Sequence, residues 1–138
     1  MLQTYNDSEQ TLAAGSNVIF GQNTIQKGYT VTHEQGDTDI HLNAPGIYKI
    51  EFDAVVTSTT DASASVVLSL NNNNEQVDGA YVEATPQSDT DLRSVSFTTL
   101  VRVPRSCCIV NNNGNLTIQT KDAVQVVYAN LVATRISN

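Results

Sequence analysis

The 138 residues suffice for one domain with one core, because domains cluster near roughly 100–150 residues. Charged residues make up only 15% of the chain, well under the usual ~25%, and uncharged Thr, Ser, Asn and Gln take their place. Exposed helices ordinarily use Glu, Lys and Arg, so this composition argues against a helical protein and for strands with hydroxyl-rich solvated faces. The net charge of −7, from seven Lys and Arg against fourteen Asp and Glu, argues against binding phosphate backbones or anionic membranes.

The opening MLQTYNDSEQ lacks the basic and apolar regions of a secretory leader, and residues 1–14 read as an N-terminal arm or lead-in. Short strands are predicted at Asn17 to Phe20, Tyr29 to Thr32 and Thr38 to Leu42. The clearest strand is GIYKIEFDAVV, in which Tyr48, Ile50, Phe52, Ala54 and Val56 face one way and Lys49, Glu51 and Asp53 the other. Val66, Leu68 and Leu70 alternate likewise, and the run Asn71 to Asn74 with Glu75 predicts a loop after them. Val95, Phe97, Thr99, Val101 and Val103 form another long alternating strand. It should stop at Pro104, which cannot donate to a sheet ladder.

Asn113-Gly114 is a tight-turn signal, which places a hairpin around residues 111–115 before a strand at Leu116 and Ile118. Val124, Val126 and Tyr128 alternate, and Leu131 to Ile136 continue in β-rich residues after a predicted bend at Asn130. No segment has convincing 3.6-residue periodicity, no run approaches the ~20 apolar residues of a membrane span, and no long repeat is present. About eight to ten short strands therefore predict one all-β domain over residues 1–138, an antiparallel sandwich, jelly roll or barrel.

The sequence offers no nucleophile elbow, phosphate loop, dinucleotide fingerprint or HExxH pair. His41 and Asp39 share a strand face, an arrangement read as a surface pair rather than an acid/base couple. Asp37 with Asp39, and Asp89 with Asp91, are D-x-D pairs read as solvated turn acids, because a calcium site needs roughly 6–8 oxygens. Cys107 and Cys108 are adjacent and bridge each other only by distorting the peptide between them. They read as free thiols, with pairing between subunits or a vicinal bridge as alternatives. The sequons at Asn6 and Asn115 carry little weight in an Asn- and Thr-rich chain. No catalytic residue, cofactor or metal is assigned.

The order of segments NVIFG, TDIHLNAPGIYKIEFDAVVTS, VVLSLNNN, SVSFTTLVRVP, LTI and ANLVATRI resembles the tumour-necrosis-factor and complement-type jelly roll, and more closely its bacterial and phage branch. The best local match is Pro45-Gly46-x-Tyr48-x-Ile50-x-Phe52, and the resemblance spans about residues 15–137. It implies a jelly-roll sandwich that forms a homotrimer, with apolar and aromatic side chains of one sheet around a three-fold axis.

The aromatic side chains Phe20, Tyr48, Phe52, Phe97 and Tyr128 read first as core. Within the resemblance, Phe20, Tyr48, Phe52 and Tyr128 are the candidates for a trimer interface, with Tyr48 and Tyr128 at the axis. The chain has no Gly-X-Y stalk and starts at a methionine directly before the domain, which favours a free-standing module. The resemblance thus implies a non-enzymatic virion structural protein on the virion surface, a capsid decoration or head-fibre/tail-associated module contacting capsid or fibre proteins. The alternative is a head domain of a bacterial surface or phage fibre that binds a cell-surface receptor or glycan. Tyr81, the main aromatic expected in a loop, would serve that alternative; neither reading involves nucleic acid or membrane insertion.

Overall fold

The structure, a computed structural model, describes residues 1–105 and 114–138. Cys107, Cys108 and most of the hairpin expected at 111–115 lie outside the described residues. Among the described residues the elements are β1 (Leu2–Asn6), β2 (Gln10–Leu12), β3 (Gln22–Gln26), β4 (Val31–His33), β5 (Ile40–Leu42), β6 (Gly46–Thr57), β7 (Val66–Asn72), β8 (Glu75–Ala84), β9 (Arg93–Val103), β10 (Gly114–Thr120) and β11 (Val124–Ser137).

Sheet A runs β3-β1-β11-β6-β9, with β2 paired to the start of β11, and sheet B runs β4-β5-β10-β7-β8. Neighbouring strands pair antiparallel throughout. The chain crosses between the sheets from β3 to β4, β5 to β6, β6 to β7, β8 to β9, β9 to β10 and β10 to β11. Consecutive strands therefore enclose one core in a jelly-roll sandwich, an arrangement in which each sheet buries one face.

Strand β6 is an interior strand of sheet A, between β11 and the edge strand β9, and its alternation is the cleanest in the chain. Tyr48, Ile50, Phe52, Ala54 and Val56 are buried, and the ladder to β9 runs unbroken from Gly46↔Val103 to Val56↔Arg93. Phe52 packs on Phe97 with ring centroids 5.4 Å apart. Sheet B answers with Val66, Leu68, Leu70, Leu116, Ile118, Ile40 and Leu42, all buried.

The start of β6 is locked by its neighbours. Tyr48 Oη donates to Ala44 O at 2.6 Å, and Arg135 Nη2, from the end of β11, donates to Pro45 O. Gly46 has φ of 146°, and a Cβ there would collide with Ser137 O and lie 2.7 Å from Arg135 Nε. Proline and glycine stand at this turn because the chain arrives under the end of β11 with no room for a side chain.

Several expectations change. Residues 1–14 are not an arm: β1 and β2 both pair with β11 inside sheet A. Asn17 to Phe20 makes a single bridge, Asn17↔Gln119, yet Val18 and Phe20 are still buried. Asn73 and Asn74, at φ of 54° and 67°, form the tight connection between β7 and β8 where a longer loop was expected. Two consecutive positive φ angles belong to the primed hairpin turns, which match strand twist and which asparagine tolerates. Strand β8 itself was not anticipated, since its Glu, Asp, Gly and Ala are all depleted in strands.

Strand β11 has no bend at Asn130. Its register against β6 shifts by one residue between Val126 and Tyr128, and again between Arg135 and Ser137.

Phe52→Ala is expected to cost roughly 3–5 kcal/mol, measured by denaturant unfolding, because it opens a cavity between the sheets. Gly46→Ala, although it only adds a methyl group, is expected to lower the melting temperature markedly; an unchanged melting curve would remove Gly46 from the lock.

Candidate functional site

Side chains of catalytic type are engaged in local bonds. His33 faces inward from β4, edge-on to Phe20 at 6.2 Å, with Nε2 2.9 Å from Asp37 O and Nδ1 2.6 Å from Asn23 Oδ1. Asn23 Nδ2 donates in turn to His33 O at 2.8 Å. This exchange ties the edge strand β3 of sheet A to the edge strand β4 of sheet B and closes one side of the sandwich. His41 lies exposed on β5, while Asp39 is occupied elsewhere: Oδ1 accepts from Thr38 Oγ1 at 2.9 Å and Oδ2 from Asn115 Nδ2 at 3.3 Å. Asp37 Oδ1 caps its own turn by accepting from Thr38 N at 2.7 Å.

Asp91 accepts from Arg93 Nη2 at 2.9 Å and from Gln87 N at 2.8 Å, which closes the loop between β8 and β9. The Arg93 guanidinium, helped by the Gln87 amide, holds the Asp91 carboxyl below the usual carboxylate range. Among the described residues no three His, Cys, Asp or Glu side chains come together as a metal site.

The interface candidates separate. Phe20, Tyr48 and Phe52 are buried within the protomer, at 0%, 0% and 1% exposure. They are enclosed within the protomer, which corrects the expectation of Phe20, Tyr48 and Phe52 at a trimer interface and of Tyr48 at its axis: a side chain already enclosed by its own two sheets has no surface left for a second copy. Burial pushes the Tyr48 hydroxyl up from its ordinary value, so it remains a donor to Ala44 O.

Tyr128 alone of the four is exposed, at 36%. The reason is the irregularity in β11. Val124 and Val126 face the core, the one-residue shift reverses the phase, and Ala129, Leu131 and Ala133 become the inward set. Alternation extended through the shift puts Tyr128 on the wrong face.

Two surfaces remain for recognition. The outer face of sheet A carries Tyr128, Val55 and Val132 near its middle and Leu100, 59% exposed, on the edge strand β9. Ser94, Ser96 and Thr98 keep β9 low on one side of Leu100, and Arg102 stands exposed on the other. A polar line crosses three strands: Gln3 Nε2 donates to Asn130 Oδ1 at 3.3 Å, and Asn130 Nδ2 donates to Asp53 Oδ1 at 3.1 Å. Lys49 and Glu51 pair at 3.3 Å. The outer face of sheet B holds a groove of about 600 Å³ beside Tyr81, which lies on strand β8 and not in a loop.

No protein-family model matches the chain, and no curated protein matches it by sequence. Solved structures do match. Murine APRIL at pH 5.0 superposes with a TM-score of 0.69 at 9% identity, covering 98% of this chain and 98% of that one. Murine APRIL at pH 8.5 gives 0.59 at 10% identity, covering 98% and 97%. The fold is a tumour-necrosis-factor-like jelly roll. PRD1 vertex protein P5 has the same architecture, with a TM-score of 0.55 at 15% identity over 98% of this chain and 95% of that one.

Within this tumour-necrosis-factor-like frame, sequence reasoning missed Leu100, because Thr99 and Val101 suggested only an inward row, and it missed the groove because β8 was not recognised.

The Asp91 tether has a definite pH sign. A carboxyl held low favours the folded state most above the ordinary aspartate range, and that contribution is lost as pH falls through the depressed value. An NMR titration of the Asp91 carboxyl is expected to give a midpoint below about 3.9, the ordinary aspartate value. Arg93→Ala should move it upward; an unmoved midpoint would assign the shift to another group.

Proposed function

We propose that this protein is a non-enzymatic virion structural module, a homotrimer that decorates a phage capsid or forms part of a head fibre or tail. The observation that carries the reading is the end-to-end match to PRD1 vertex protein P5, a phage structural neighbour with the same tumour-necrosis-factor-like fold. Exposed apolar side chains on sheet A support it. The resemblance puts one sheet around a three-fold axis, and the outer face of sheet A presents Leu100 toward one end of β9 and Tyr128 beside Val55 toward the other, with Val132 between them. Closed cyclic symmetry through this face would bury those side chains three times over and leave sheet B facing outward.

The mechanism is mechanical. A rigid trimer presents three identical attachment surfaces, and modest contacts sum to firm attachment when their spacing matches the target lattice. Its partners in this reading are its own copies and the capsid or fibre proteins beneath.

Light scattering at micromolar concentration is expected to return a mass near three times the 14.9 kDa protomer. Leu100→Asp should shift the mass toward one protomer while cooperative unfolding persists, because Leu100 lies outside the core. A wild-type monomer would overturn the trimer, and a variant that stays trimeric would move the interface off sheet A.

A further inference from the structure

The groove on sheet B combines features that the proposed assembly does not use. Its cross-section follows one register row: Tyr81 opposes Ser69, and Ser69 opposes Gln119. A small serine between an aromatic ring and a long amide leaves a trough with Tyr81 as one wall and Gln119 as the other. The neighbouring row pairs Glu83 with Val67, and Lys121 and Asp122 close the end of the trough. The depression continues past the irregular pairing between Ser69 and Asn71, where Gly79 at φ of 75° turns β8.

The walls are preorganised. Gln119 Nε2 donates to Gly15 O at 3.1 Å, and its Oε1 accepts from Asn71 Nδ2 at 2.8 Å, so the amide is held upright. Glu83, which lines the groove, accepts from Ser65 Oγ through Oε1 at 3.1 Å, a bond that orients its carboxylate. Tyr81 is 53% exposed and its hydroxyl makes no hydrogen bond among the described residues. An aromatic ring with most of its surface in water, beside fixed polar groups, is unexplained by packing.

We infer that this groove binds a short, neutral oligosaccharide, with one sugar ring lying against the face of Tyr81. The volume of about 600 Å³ suits a small ligand and is far below a protein-sized footprint. A pyranose has an apolar C–H face for the ring and hydroxyls at its edge. Those hydroxyls both donate and accept, so they pair with a carboxylate, an amide and an ammonium alike. Glu83 and Asp122 against the single Lys121 disfavour phosphate, sulfate or uronate. The polar floor and far wall at Ser69 and Gln119 disfavour an acyl chain. The groove lies on the opposite sheet from the proposed trimer face, so the inference stands whether or not the protein assembles.

The test is an NMR titration of the full, isotope-labelled chain with lactose, maltotriose, cellotriose and tri-N-acetylchitotriose. At least one is expected to shift the amides of Ser69, Tyr81 and Gln119 saturably in the millimolar range or tighter. Tyr81→Ala should weaken binding about 10-fold or more, and Tyr81→Phe should preserve it, because the ring and not the hydroxyl makes the contact. Both variants should fold, since the side chain is more than half exposed. Silence at these amides across all four sugars overturns the inference, as does binding that Tyr81→Ala leaves unchanged.

Discussion

The pairing of β6 with β11 is the constraint on which the rest of this structure depends. Strand β6 is held on both sides along almost its whole length, by β9 without interruption and by β11 with a shift between Val126 and Tyr128 and a second near its end, between Arg135 and Ser137. A strand has a side-chain period of two, so a single inserted residue exchanges the buried and solvated sets beyond it. Before the shift Val124 and Val126 enter the core; after it Ala129, Leu131 and Ala133 do. Without it, Asn130 and Thr134 would point between the sheets and Leu131 into water. The extra residue at Val127 is therefore what lets one long strand serve both halves of the sandwich, and it turns Tyr128 outward as a direct consequence.

The legibility of the fold follows from the same physics. β6, β7 and β9 could be read because large apolar residues alternate over many positions, and Pro104 marks an end that backbone chemistry enforces. β8 could not, because its inward positions include Ala80, its turn residue Gly79 interrupts the phase, and its solvated positions mix Glu, Gln and Asp with the single aromatic Tyr81. β1 to β3 are short and rich in Gln, Asn and Thr, so their strand character comes from partners on β11 and on one another rather than from their own composition. For the interface candidates, alternation placed Tyr48 and Phe52 on an inward face, and the structure shows that this face meets sheet B of the same protomer. Tyr128 was misplaced because a one-residue register shift has no signature in the local sequence.

Polar chemistry in this molecule is largely spent on joining edges and closing turns. The Asn23–His33 exchange links the two sheets at one side, Arg135 and Tyr48 hold the turn at Ala44 and Pro45, and Asp91 with Arg93 closes the connection from β8 to β9. The Asn23–His33 exchange and the Arg135–Pro45 bond join segments distant in sequence, while Tyr48–Ala44 and Asp91–Arg93 close local turns; a buried carbonyl or amide left unbonded would carry a desolvation cost. Groups committed in this way hold the framework rigid at its edges and turns.

That rigidity bears on how the outer face of sheet A can be used. Lys49, Glu51 and Asp53 lie along the middle of it, and charged groups are depleted at the centres of tight interfaces because stripping their water is costly. A close trimer contact is therefore best centred toward β9, where Ser94, Ser96 and Thr98 permit backbone approach and Leu100 supplies apolar area, with the Lys49–Glu51 pair and the Gln3–Asn130–Asp53 line at the wetter rim. Such an interface has a small apolar centre and a broad polar margin. It gains specificity of orientation from the margin and modest affinity from the centre, which suits subunits concentrated on a repeating surface better than subunits that must find one another in dilute solution.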